Sequence, residues 1–170
     1  MTAKELFTPT EWESLERAPV MVARAVIAAD MSGSISLVTE YQAMQKTVRA
    51  THAAGSENGL IGEVAASLTA RQNAGQTIDQ ILGERAGSSA AERDAEKIRE
   101  QALAALHALA ALLAHKAPAE EANEFKRWLL EIGQRVADAS KEGNGDSRVT
   151  EKEATTLGAL ATVLEVESPL

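Results

Sequence analysis

The sequence predicts an all-α fold, a compact bundle or array of seven to eight helices. Apolar residues recur at three- and four-residue spacing, and runs of alternating β-branched residues are missing. Three predicted helix starts, at Thr8, Ser89 and Thr150, carry a capping box, in which a hydroxyl and a glutamate three residues later bind the first free amides. A length of 170 residues predicts a single domain, 1–170.

The first four helices are predicted at 9–17, 19–29, 36–51 and 60–71. Pro9 takes the favoured first position of a helix, and Pro19 is expected to end one helix and restart the next. Glycine-containing loops are predicted at 31–34, 55–59 and 73–75. The apolar faces expected in these helices are Trp12 and Leu15, then Val22, Val26 and Ala29, then Leu37, Tyr41, Met44 and Val48, and last Ile61, Val64, Ala65 and Leu68.

The second half is predicted to contain a short helix at 77–82, capped by Thr77, and three longer ones at 90–116, 118–140 and 150–165. Residues 141–148 form a polar, glycine-rich loop in this prediction. The expected inner stripes are Ile98, Ala102, Leu106, Leu109 and Leu113; Ala122, Phe125, Leu129, Ile132, Val136 and Ala139; and Leu157, Leu160, Ala161 and Leu164.

Composition excludes several classes of function. The chain has no cysteine, which removes thiolate metal sites, thiol catalysis and disulfides. A net charge of −8 argues against binding to nucleic acid or to an anionic membrane. The most apolar run, 102–114, is too short to span a bilayer, and 1–7 lack a signal core, so we expect a cytoplasmic protein. The three histidines, His52, His107 and His115, are expected at the surface.

A helix–loop–helix unit occurs twice in the sequence. At a constant offset, Val22, Val26, Ala29 and Gly33 align with Ile132, Val136, Ala139 and Gly143. In each unit an amphipathic helix ends, a glycine permits the reversal, and a Ser or Thr caps the next helix. Acids follow in the first turns of that helix, with Glu40 one position away from the residue aligned with Glu153. Chance similarity between two helical hairpins is the alternative.

The repeated unit resembles the tellurite-resistance B (TerB-like) family. The matching residues are Ala28, Ala29, Asp30, Gly33, Ile35, Ser36 and Glu40 in the first unit, and 137–143, Val149, Thr150 and Glu153 in the second. The resemblance implies an all-helical fold that carries the unit twice and a link to metal or oxyanion stress responses. It also implies that Asp30, Glu40 and Glu153 belong to acidic metal-binding clusters.

The second loop also approximates a calcium-binding loop. Oxygen-bearing side chains stand at alternate positions: Asp138, Ser140, Glu142, Asn144 and Asp146. Gly143 takes the sixth position, where such a loop needs its sharp turn, but Val149 stands at the twelfth in place of glutamate. Hard oxygen ligands favour calcium or magnesium. A solvated polar loop without metal is the alternative.

Two non-enzymatic functions and one enzymatic function are compatible with these patterns. The first is a TerB-like protein that binds a divalent cation or a protein partner through its acidic loops. The second is a module that interacts by helix packing, for example as a homodimer, without metal. An enzyme would need paired carboxylates, and Glu121, Glu124 and Glu131, which share a flank with Trp128, are better explained as a charged helix face. The sequence therefore predicts no catalytic residue.

Overall fold

The computed structural model describes residues 2–29, 34–77, 80, 95–144 and 151–166, and all of its regular structure there is helical. This confirms the all-α prediction. Within those ranges six α-helices follow a short 3₁₀-helix, Ala3–Leu6, fewer than the seven to eight predicted. They are α1 (Pro9–Ala29), α2 (Ser34–Ala54), α3 (Gly59–Asn73), α4 (Ala95–Lys116), α5 (Ala119–Asn144) and α6 (Glu151–Leu164).

Pro19 lies inside α1, so the prediction of two helices in this segment is wrong. A proline inside a helix loses one backbone hydrogen bond and costs about 3 kcal/mol. The helix continues because tertiary packing surrounds this position, where Leu15, Ala18 and Val22 have at most 1% of their surface exposed. Burial of these apolar side chains offsets the cost of the proline.

Other predicted boundaries shift or lie outside the described residues. The helix α5 continues to Asn144, four residues beyond the predicted end, because Lys141 and Glu142 are good helix formers. The predicted helix at 77–82 lies largely outside the described residues, as does the start predicted at Ser89. At Thr77 the predicted cap is present, because the amide of Gln80 donates to the Thr77 hydroxyl over 3.3 Å.

The core lies around α1 and α5, the two central helices. The helix α1 packs mainly on α4 and α5, α2 packs on α5 and α3, and α6 packs on α4. The predicted inner stripes of α3, α4 and α6 are buried throughout, and that of α5 is buried from Ala122 to Val136. Trp12 and Trp128 are buried core residues, and the three histidines are exposed, as predicted.

Capping interactions fix the ends of the helices. Thr8 and Glu11 form the predicted capping box: the Thr8 amide donates to Glu11 Oε2 over 2.7 Å, and the Glu11 amide donates to the Thr8 hydroxyl over 3.3 Å. After the ends of α2 and α3, Gly55 and Gly75 adopt φ of 73° and 78°, the left-handed conformation that closes a helix. No helix of the described residues is long and apolar enough to cross a membrane.

Candidate functional site

Glu40 and Glu153 are buried carboxylates at matching positions of the two helix–loop–helix units. Each has only 2% of its surface exposed, and each is engaged in interactions within the protein. Buried side chains follow both acids at the same four-residue spacing, Met44 and Val48 on α2, and Leu157 and Ala161 on α6. The burial pattern thus aligns the two glutamates directly, whereas the sequence alignment sets them one position apart.

The end of α1 and the start of α6 meet at an open cleft of about 470 Å³. Three helices contribute to its wall: Ala28 and Ala29 from α1, Glu96 and Arg99 from α4, and Glu151 and Lys152 from α6. Residues 30–33 follow Ala29 in the chain, and residues 145–150 precede Glu151. The flanks of both predicted acidic loops therefore come to the same end of the bundle.

The described part of the cleft carries balanced charge. Glu96 and Glu151 are exposed carboxylates, and Arg99 and Lys152 are the cations beside them. The Arg99 Nε donates to the hydroxyl of buried Thr156 over 3.0 Å, which holds the guanidinium at the cleft wall. An excess of negative charge at this end of the bundle would have to come from other carboxylates, such as Glu153 in the first turn of α6.

Of the other four predicted metal ligands, Asp138 is the one whose side chain lies among the described residues. Asp30 and Asp146 lie outside the described residues, and Glu142 belongs to α5, but its side chain is also outside them. Asp138 is half-buried, accepts a 3.2 Å hydrogen bond from Gln134 and lines a different surface, between α2 and α5. Among the described residues, no three acidic or histidine side chains come together to hold an ion.

The first seven residues of the predicted calcium loop, 138–144, belong to the helix α5. Residues 145–149, which complete the predicted loop, lie outside the described residues. A calcium loop wraps its alternate side chains around one ion, and calcium binding by this segment stays a prediction.

Comparison with known proteins assigns no family. The chain matches no family model, and no curated protein or solved structure shows significant similarity to it.

A second surface is the groove between α2 and α5. Two adjoining cavities of about 370 and 490 Å³ share Thr51 and Glu131 in their walls. The predicted flank of α5 lies here, because Glu124, Trp128 and Glu131 all line the first cavity. The indole Nε1 of Trp128 donates to the Thr51 hydroxyl over 3.0 Å, so the tryptophan ties α5 to α2.

Two buried charges were not predicted from the sequence. Glu16 on α1 and Lys126 on α5 are 5% and 4% exposed and occupy aligned positions of the repeat. Glu16 accepts hydrogen bonds from Trp12 Nε1, Ser67 Oγ and Arg71 Nη2 at 2.8, 2.6 and 2.8 Å. The four-residue spacing of Trp12 and Glu16 is the sequence signal that could have suggested this contact.

Glu11 shows the clearest perturbed titration among the described residues. Its Oε2 lies 2.7 Å from the Lys116 Nζ. The hydrogen bond from Lys116, together with the one from the Thr8 amide, lowers the pKa of Glu11 below its ordinary value of 4.5. The pair joins the start of α1 to the end of α4, far in sequence from both predicted acidic loops, and has a structural role.

Proposed function

We propose that the protein is a non-enzymatic, cytoplasmic helical protein of the TerB-like type that binds a divalent cation in a stress response. The cation would lie at the end of the bundle where α1, α4 and α6 meet. The observation that carries this proposal is the cleft, which joins the flanks of both helix–loop–helix connections. Asp30 follows directly on one flank, and Glu153 stands in the first turn of the other.

The charges at this end favour a hard cation with oxygen ligands. Glu96 and Glu151 balance Arg99 and Lys152 in the described part of the cleft. The proposal assigns the further negative charge that a cation needs to Asp30, Glu40 and Glu153. Calcium takes six to eight oxygen ligands in flexible geometry, whereas zinc prefers nitrogen and sulfur. We therefore expect calcium or magnesium to bind, and zinc to bind more weakly.

The direct test is metal titration of the chelator-treated protein by calorimetry and by thermal unfolding. A cation at 100 times its dissociation constant would stabilise the folded state by about 2.7 kcal/mol. We expect heat of binding and a raised Tm with calcium or magnesium. The absence of both heat and shift with calcium, magnesium and zinc would overturn the proposal.

Variants connect the binding to the predicted site. Asp30→Asn and Glu153→Gln should each weaken binding of the cation at least tenfold. Glu13→Gln is the matched control, because Glu13 is half-buried and pairs with Arg17 within α1. The Tm with metal is compared with the Tm without metal for the same variant. A general loss of stability in Glu153→Gln therefore does not affect the comparison. Equal affinity in all three variants would place the cation elsewhere.

A second candidate function is a metal-free module that acts by helix packing. The observation that favours it is the outward face of α4, where five alanines are exposed. Apolar faces of this kind on soluble proteins commonly mark contact sites. Light scattering across a wide range of protein concentration tests it, and a strictly monomeric protein would count against this candidate.

A further inference from the structure

The outward face of α4 is apolar for about three turns. Its exposed residues in this stretch are Ala104, Ala105, His107, Ala108, Ala111 and Ala114. The half-buried Leu112 borders them and packs on the core with its inner side. The inner stripe of α4 is already buried against the rest of the protein, so the alanine face is a separate, second face of the same helix.

The spacing along this face is that of a helix–helix seam. Gln101, Ala104, Ala108, Ala111 and His115 follow one another at intervals of three, four, three and four residues. A stripe with this period stays in contact with a second helix that packs at a small angle. Alanines at the seam let two helix axes approach to about 8 Å. Spacing alone does not identify the second helix, but the charges at the ends of the seam do.

The charges fit an antiparallel copy of the same helix. When two copies are related by a two-fold axis at Ala108, His115 of one copy comes level with Glu100 and Gln101 of the other. A histidine N–H then meets a carboxylate and a side-chain amide at both ends of the seam. A parallel pairing would instead set Glu100 of one copy against Glu100 of the other.

We propose that the protein forms an antiparallel homodimer through the outward face of α4, with its two-fold axis at Ala108. This proposal rests on the second candidate function and names its partner as a second copy of this chain. The interface is isologous, so it closes at two subunits. One helix face is smaller than the roughly 800 Å² per partner of a standard interface, and we expect a dissociation constant on the order of 10 μM.

A single engineered cysteine tests the geometry, because the chain has no cysteine of its own. Two helices about 8 Å apart bring the two Cα atoms at a seam position on the axis within disulfide range, roughly 4.4–6.8 Å. Ala108→Cys should therefore form a covalent dimer under mild oxidation. Ala53→Cys is the matched control, an exposed alanine near the end of α2 and outside the seam, and it should cross-link much more slowly.

Sedimentation equilibrium gives the energetic test. Ala108→Glu should weaken the dimer at least tenfold, because two carboxylates then meet at the axis, while circular dichroism shows an unchanged fold. Glu100→Lys and His115→Glu should each weaken it, and the double variant should recover most of the loss. A dimer that survives Ala108→Glu, with no cross-link through Ala108→Cys, overturns this interface and leaves the second candidate function standing. A monomeric wild-type protein overturns both.

Discussion

The two central helices, α1 and α5, carry opposite charges at equivalent buried positions, and the two charges are compensated to different degrees. Glu16 on α1 receives three short hydrogen bonds, one of them from the Arg71 guanidinium. Lys126 on α5 has a 3.8 Å ion pair with Glu165, whose side chain is 68% exposed. A buried charge is stabilising only where its hydrogen bonds compensate for the water it lost. Glu16 meets that condition, and Lys126 meets it much less well.

Replacing Glu16 should have the largest effect on stability. Glu16→Ala leaves the Trp12 indole, the Ser67 hydroxyl and the Arg71 guanidinium without their shared acceptor, and we expect a loss of about 3 kcal/mol. Glu16→Gln keeps one acceptor oxygen and should lose about 1.5 kcal/mol. Urea unfolding of the three proteins measures both values. Equal stability of Glu16→Ala and the wild type would show that the network contributes nothing.

Gly133 tests how closely the two halves pack. It stands where the repeat has Ala23 on α1, and a Cβ built on Gly133 would lie 3.1 Å from Val22 Cγ1 and 3.4 Å from side-chain atoms of Leu157 and Leu160. Gly133→Ala gains up to about 1 kcal/mol of helix propensity. Crowding against the stiff valine should outweigh that gain, with a net loss of about 1 kcal/mol.

A double variant separates crowding at Gly133 from other causes. Val22→Ala removes the closest methyl group, so Gly133→Ala should become stabilising when it is introduced into that background. The double-mutant cycle by thermal unfolding gives the coupling. If the effect of Gly133→Ala is the same in both backgrounds, contact with Val22 does not determine it.

Lys126 should respond in the opposite direction from Glu16. Lys126→Met keeps the apolar stem and removes an ammonium with one distant partner, so stability should stay unchanged or rise by about 1 kcal/mol. Glu165→Gln is the control and should change stability by less than about 0.5 kcal/mol, because its side chain is mostly exposed. Chemical denaturation measures both. A marked loss in Lys126→Met would mean that the ammonium is as well compensated as Glu16.

The smallest effect is expected at Glu11, and it depends on pH. Its pKa is lower in the folded protein than the ordinary value of 4.5, so the carboxylate stabilises the fold above that value. This contribution is lost as the pH falls through the lower, folded pKa. The difference in stability between the wild type and Glu11→Gln should therefore be present at neutral pH and vanish in acid. A difference that does not change with pH would exclude titration of Glu11 as its source.

The parts of the fold that follow from local patterns were predictable from the sequence. The stripe from Ile98 to Leu113 is buried as its spacing indicated, and the capping box at Thr8 is present. The prediction of a helix end at Pro19 was wrong because the rule that proline ends a helix considers only residues near it in sequence. The rule does not include the packing on both sides of α1. The end of α5 was predicted too early because Gly143 was taken as the sign of a turn. A glycine near the end of a helix does not always end it, and here α5 continues through Gly143 to Asn144.

The candidate site was predictable only in part. Glu40 and Glu153 were selected from an approximate repeat, and their shared burial could not be read from sequence because the helix register differs by one residue between the units. The approach of α1 to α6, which forms the cleft, depends on long-range packing. Glu16 was missed for the same reason, since two of its three partners stand more than fifty positions away in the chain.

The two tryptophans give two different packing contacts of the molecule a fluorescent reporter each. They are the only tryptophans in the chain, both are buried, and each indole N–H is bound, Trp12 to Glu16 and Trp128 to Thr51. The fluorescence of Trp12 reports on the contact of α1 with α3, and that of Trp128 reports on the contact of α5 with α2. Fluorescence of Trp12→Phe and Trp128→Phe can therefore show whether these two contacts are lost together or in sequence on unfolding.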